Sequence, residues 1–159
     1  MDQALNSRRK ALQAGGGAGL LFMLAAAGLL KPGEGLAQSW NESAFTMKTV
    51  PEAMMALGAR SPTASEAIII KAPEIAENGA VVPVAVESKL PGTESITLLI
   101  EKNPQPLAAS FGIPPGTEAN VSTRVKMGQS SEVYALVKAD GKFYVAKKEI
   151  KITLGGCGG

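Results

Sequence analysis

No histidine occurs anywhere in these 159 residues. The commonest general base and metal ligand is therefore missing. Neither a Ser-His-Asp nor a Cys-His catalytic site can be built within the chain. Cysteine occurs once, at Cys157. No disulfide can form inside the chain, and the Cys-Trp-Cys framework of antibody-type domains is absent. There is no phosphate-loop or metal-ligand spacing and no paired acid and base. These gaps count against an enzyme in its own right. A strong charge of either sign is also lacking: sixteen Lys plus Arg stand against fourteen Asp plus Glu. No basic footprint for nucleic acid follows from that balance.

The N-terminal part has a clear order. Arg8, Arg9 and Lys10 stand near the start with only Asp2 as acid, and residues 14–30 carry no charge. That run is near the length of a membrane span, but Gly15, Gly16, Gly17, Gly19 and Gly28 make it weakly apolar and a poor helix. Gly35-Leu36-Ala37 then supplies a small-x-small triplet. Basic, apolar, cleavable is the order of a signal peptide, expected over residues 1–37; an uncleaved anchor is the alternative. Ser7-Arg8-Arg9-Lys10-Ala11-Leu12 resembles a twin-arginine signal, a receptor-read address. That route implies export of folded cargo. Cleavage after Ala37 removes Arg8, Arg9, Lys10 and Lys31 together with Asp2 and Glu34, leaving twelve charges of each sign. The mature domain, residues 38–154, is then close to neutral.

Residues 38–46 read as a loose leader. Thr49-Val50-Pro51-Glu52 has the form of a capping box, with Thr49 as N-cap and Glu52 at N3. A short helix follows through Met54, Met55 and Leu57, ends near Gly58, and packs its methionines on a core. The period then changes to two. Strands are expected over 67–71, 80–86, 95–101, 107–113, 119–127 and 131–139, separated by turns such as Asn78-Gly79 and Pro91-Gly92. Pro83 assigns its strand to an edge or a bulge. Asp140-Gly141 is the residue pair of a tight hairpin, leading into Phe143-Tyr144-Val145-Ala146. In the last strand, Ile150, Ile152 and Leu154 alternate with Glu149, Lys151 and Thr153. About seven short strands at this spacing imply a mainly β, antiparallel sandwich with a short N-terminal helix.

After Leu154 come Gly155, Gly156, Cys157, Gly158 and Gly159. Glycine has the largest backbone freedom and no side chain to pack. Residues 155–159 are therefore expected to be a flexible arm. Its thiol reaches about 10 Å past Leu154, three residues away. A frayed glycine end cannot bury its cysteine, and an exposed thiol in an oxidising compartment oxidises or cross-links. Use explains such a residue better than accident. No Lys, Arg or helix N-terminus within the arm favours the thiolate. An unperturbed thiol ionises near ~8.5, so it is mostly protonated at neutral pH. The arm is a handle for other proteins to activate, not a nucleophile on its own account.

The Gly-Gly-Cys-Gly-Gly end, the apparent twin-arginine leader and Glu77-Asn78-Gly79-Ala80-Val81-Val82-Pro83-Val84 together resemble the SoxY family. Its members are sulfur-carrier subunits of the periplasmic thiosulfate-oxidising (Sox) system. The resemblance implies an immunoglobulin-like β-sandwich and a periplasmic location. It implies no bound cofactor, and a carrier role for Cys157, which holds S-thiosulfonate and persulfide adducts. The implied partners are a SoxZ-like β-sandwich subunit, forming a heterodimer, a haem cytochrome, a dimanganese hydrolase and a sulfur dehydrogenase. No motif locates the partner-binding residues. Two other readings remain. One is an exported structural sandwich whose Cys157 forms an intermolecular disulfide. The other is a metal chaperone using Cys157 and methionines, which the lack of histidine and of a methionine-rich cluster disfavours.

Overall fold

The computed structural model describes residues 41–154. The expected signal peptide and the arm, residues 155–159, lie outside the described residues, as does the start of the expected leader.

Two short helices open the described chain. Helix α1, Glu42–Thr46, occupies part of the stretch read as a loose leader. Its N-cap Asn41 accepts from Ala44 N at 3.2 Å, and the same side chain donates to Ala56 O at 2.9 Å. One asparagine thus starts the first helix and ties it to the end of the second, a contact that local sequence does not reveal. Helix α2, Val50–Ala56, has the expected capping box: Thr49 Oγ1 accepts from Glu52 N, and Glu52 Oε2 accepts from Thr49 N at 3.1 Å. The helix ends at Leu57, and Gly58 follows at φ +86°, the left-handed region that favours glycine. Met54 is buried, as expected, but Met55 is 60% exposed.

Nine strands follow among the described residues: β1 (Thr63–Ala64), β2 (Ile68–Lys71), β3 (Ile75–Asn78), β4 (Val82–Ser88), β5 (Thr93–Ile100), β6 (Leu107–Gly112), β7 (Asn120–Val125), β8 (Ser131–Ala139) and β9 (Lys142–Leu154). One sheet runs β1-β9-β8-β5-β6, with β3 also on β9, and the other runs β2-β4-β7. This is the expected mainly β, two-sheet sandwich, with two departures. Strands β1 and β3 pair with β9 in parallel, so the larger sheet is mixed. The two segments read at 143–146 and 149–154 form one continuous strand. The hairpin that leads into it has Asp140 at φ 47° and Gly141 at φ 72°, the double positive φ of a type I′ turn.

Pro83 corrects the sequence reading. Its strand, β4, is the middle strand of the smaller sheet, paired with both β2 and β7. Strand β2 stops opposite Ala85, so Pro83 faces only Arg124 of β7. Proline's missing donor is accommodated where the strand has a single neighbour.

Burial explains the layering. Ile96, Leu98 and Ile100 of β5 meet Val82, Val84 and Val86 of β4 in the core between the sheets. Leu99 points the other way and joins Ala53, Met54 and Leu136 in a second core under the helices. Both faces of β5 are therefore covered.

Candidate functional site

Cys157 and the flanking Gly155, Gly156, Gly158 and Gly159 lie outside the described residues. The site is built here from its root, the last four residues of β9.

Strand β8 accompanies β9 only as far as Ile150, which faces Ser131. Strand β9 nevertheless continues to Leu154. Along one edge it is held by β3, in the parallel register Ile75↔Lys151, Ala76↔Ile152 and Asn78↔Leu154. Lys151 N donates to Glu74 O at 2.9 Å, and Thr153 Oγ1 donates to Glu77 O at 3.1 Å. Along the opposite edge no strand remains, and Ser130 takes over. Its Oγ accepts from Ile152 N at 2.9 Å and makes a long contact of 3.5 Å to Ile152 O. Ile150 is fully buried, and the half-buried Ile152 packs against the same core. The strand is thus fastened on both edges close to the point where the glycines begin.

Neither β3 nor Ser130 was singled out by sequence reasoning. Ile75-Ala76-Glu77-Asn78 shows no alternation of apolar and polar residues, and only Ala76 is buried. A parallel partner more than seventy residues away leaves no local signal. Ser130 makes its contact from the turn before β8, through a side chain rather than through strand pairing.

A second feature is a largely apolar groove beside α2, lined by Val50, Met54, Met55, Tyr134 and Val145 among others, with Arg60 and Glu101 also on its wall. Beside it, Glu132 accepts from Tyr134 Oη at 2.7 Å and pairs with Lys147 at 2.8 Å. Partial burial, and then the neighbouring Glu132 carboxylate, push the Tyr134 phenol up to about 12. The hydrogen bonds from Lys147 and Tyr134 hold Glu132 below the usual carboxylate range. Glu132, Lys147 and Tyr134 thus form a charge-paired surface cluster. Val145 lies nine residues before Leu154 on an extended strand, a separation of about 30 Å. Among the described residues no group of three potential metal-binding His, Cys, Asp or Glu side chains occurs. Met127 lies in the core between the sheets, apart from Met54 and Met47, which share the core under the helices. No described helix is long and apolar enough to cross a membrane.

Fold and site together define a class: a two-sheet β-domain whose last strand leads directly into a glycine-flanked thiol. The family model for sulfur oxidation protein SoxY matches residues 53–157, ending on Cys157 itself. The chain belongs to the SoxY family. Among solved structures, the sulfur carrier protein SoxY from Chlorobium limicola f thiosulfatophilum is similar at 41% identity with a TM-score of 0.56, covering 63% of this chain and 93% of that chain. A superoxide reductase (neelaredoxin) from Ignicoccus hospitalis is similar at 23% identity with a TM-score of 0.49, covering 54% of this chain and 78% of that chain. That likeness is too distant to bear on function. No curated protein sequence matches the chain.

Proposed function

We propose that this protein is a periplasmic sulfur carrier that holds thiosulfate-derived intermediates covalently on Cys157 and presents them to partner enzymes. One observation carries the reading: the family match runs through β9 and ends on Cys157, the chain's only cysteine, set between paired glycines. The protein itself is not a catalyst. A haem cytochrome removes two electrons as a sulfur–sulfur bond forms between Cys157 Sγ and the sulfane sulfur of thiosulfate. The thiol proton leaves, and the product is a cysteine S-thiosulfonate. A dimanganese hydrolase adds water across the bond to the sulfonate, releasing sulfate and leaving a persulfide. In organisms that have it, a sulfur dehydrogenase takes six electrons from that sulfane sulfur as three waters supply the oxygens of a new sulfonate and six protons leave, and the hydrolase acts again. The Sox system's second small β-sandwich, a SoxZ-like subunit, forms the heterodimer.

The experiment is intact-mass spectrometry of the protein purified from its native periplasm during thiosulfate turnover. The expected spectrum is a ladder of sulfur and sulfonate additions, removed by reductant and absent from Cys157→Ser. The second sandwich subunit co-purifies. An unmodified thiol throughout sinks the carrier reading, and a reductant-sensitive dimer of this chain replaces it with the structural one.

Export by the twin-arginine route is part of the same proposal, supported by Arg8, Arg9 and the soft apolar run after them. Arg8→Lys with Arg9→Lys is expected to hold the precursor in the cytoplasm, read by fractionation and immunoblotting. Mature protein in the periplasm at the wild-type level assigns export to the general secretory route instead.

A further inference from the structure

We infer that the edge of β9 between β1 and β3 is a lane into which a partner protein lays a short extended segment as one more strand. The inference rests on the heterodimer of the carrier reading, whose second sandwich subunit is the partner in lasting contact with this chain. On that edge β1 pairs with Tyr144 and Val145, and β3 pairs from Lys151 to Leu154. No described strand pairs with Ala146 to Ile150 there. Three hydrogen bonds fix which main-chain groups face the lane. Ile152 N turns to Ser130 on the β8 side, at 2.9 Å. Val145 O accepts from Ser65 N at 3.1 Å, and Lys151 N donates to Glu74 O at 2.9 Å, both on the lane side. Alternate residues of a strand bond to the same neighbour. Even-numbered residues of β9 therefore bond to β8, and Lys147 and Glu149 point their N–H and C=O groups into the lane. Among the described residues these four groups have no partner.

The lane holds open space at both ends. At the β1 end a cavity of about 440 Å³ is lined by Ala64, Ser65, Tyr134, Val145, Ala146 and Lys147. At the β3 end another of about 330 Å³ is lined by Glu74, Ile75, Lys148, Glu149 and Lys151. From Val145 to Lys151 the edge is about 20 Å long, room for about four residues of added strand. Lys148 points to the inner side and donates to Ala72 O at 2.6 Å. The segment therefore rests on a closed sandwich edge rather than entering the core. Two N–H and two C=O groups along one edge complement an extended backbone, and strand addition binds in this way. The cavities set the side chains. The β1 end, walled by two alanines, a valine and a tyrosine, takes an apolar residue. The β3 end, with its two glutamates and two lysines, takes a polar one. Because β1 and β3 close the lane above and below, a short segment fits where the edge of a whole sheet does not.

The test titrates the full mature chain with the separately purified second sandwich subunit, by calorimetry and by residue-resolved amide exchange. On binding, the Lys147 and Glu149 amides are expected to exchange at least about tenfold more slowly, as each gains a hydrogen bond. Glu149→Pro removes one lane-facing N–H and leaves the β8 ladder intact, the position at which a strand tolerates proline. It is expected to weaken binding about fivefold to tenfold. Glu149→Ala keeps the N–H and should bind within about twofold of wild type. Ala64→Trp fills the apolar cavity from an exposed position on β1 and should weaken binding at least as much as the proline. It carries the test should the proline variant lower the melting temperature. Unchanged exchange at Lys147 and Glu149 in the complex overturns the lane. So does wild-type affinity in Ala64→Trp, or an alanine variant as weak as the proline one, which shifts the effect to the side chain. Failure of the heterodimer itself looks different: the wild-type chain then gives no binding heat with that subunit, and both the partner and the lane fall.

Discussion

Replacing Leu98 by alanine is expected to lower the stability of the domain by about 3–5 kcal/mol. Leu98 is completely buried, and it stands on β5, which pairs with β6 on one side and β8 on the other. Its cross-strand neighbours are Ala109 and Ala135, small residues beside a large one. Removing the isobutyl group therefore leaves a hole that two alanines cannot fill, and a poorly collapsing site sits at the upper part of the usual range. A domain of this size has about 5–15 kcal/mol of stability in total, so about a fifth or more is lost. Urea unfolding followed by circular dichroism measures it as a lower midpoint at constant slope. Val81→Ala is the control: Val81 is 52% exposed, and a change within about 0.5 kcal/mol is expected. A loss below about 1 kcal/mol at Leu98 contradicts a core closed between the two sheets. Alkylation of Cys157 in the folded variant should match wild type, because the thiol belongs to the segment after the sheet.

The same strand shows what the sequence could convey. Ile96, Leu98 and Ile100 were legible as one face by their spacing, and they line the inter-sheet core. Leu99 falls outside that spacing. It is fully buried because α1 and α2 lie over the other face of the sheet. Nothing local to β5 announces a helix pair contributed from more than forty residues upstream. Cooperative local signals were read well: the capping box at Thr49, the Asp140-Gly141 turn and the apolar runs of β4 and β8. Each is encoded within a few neighbouring residues. Strand β3 was missed because its pairing is parallel and distant, and its exposed residues carry no alternation. Pro83 misled because its rule is about the number of neighbours at one position, whereas a sequence shows only the strand as a whole. In the candidate site, Cys157 and its glycines were singled out from the sequence as the carrier arm. The means of fastening that arm's root was not, since Ser130 acts through a side chain from a turn.

Valine at both Gly156 and Gly158 is expected to cut loading and hydrolysis on Cys157 by about a hundredfold while leaving the thiol's own chemistry alone. The thiol has no Lys, Arg or histidine within the arm, so no activating group is disturbed by the change. Alkylation by a small reagent should proceed at close to the wild-type rate. The melting temperature should also hold, because both cores close within residues 41–154. Access is what changes. On the carrier reading proposed above, the chemistry comes from a partner enzyme's site, which the arm enters. Between glycines the cysteine offers a bare backbone and a single thiol to that site. A β-branched residue on each side widens the chain by two isopropyl groups and confines the backbone. A misplacement of about 1 Å at a reacting atom costs about a hundredfold in rate, and two bulky flanks against a narrow slot produce at least that. Gly156→Ala with Gly158→Ala, adding one methyl each, should fall between wild type and the valine pair. The measurements are alkylation rate, melting temperature and partner turnover for Gly156→Val with Gly158→Val beside the alanine pair. Turnover at the wild-type rate in the valine variant would mean that the paired glycines are incidental and that partners do not enclose the arm. Slower alkylation by the small reagent would place the effect in the thiol itself, and the access account would fail on that ground instead.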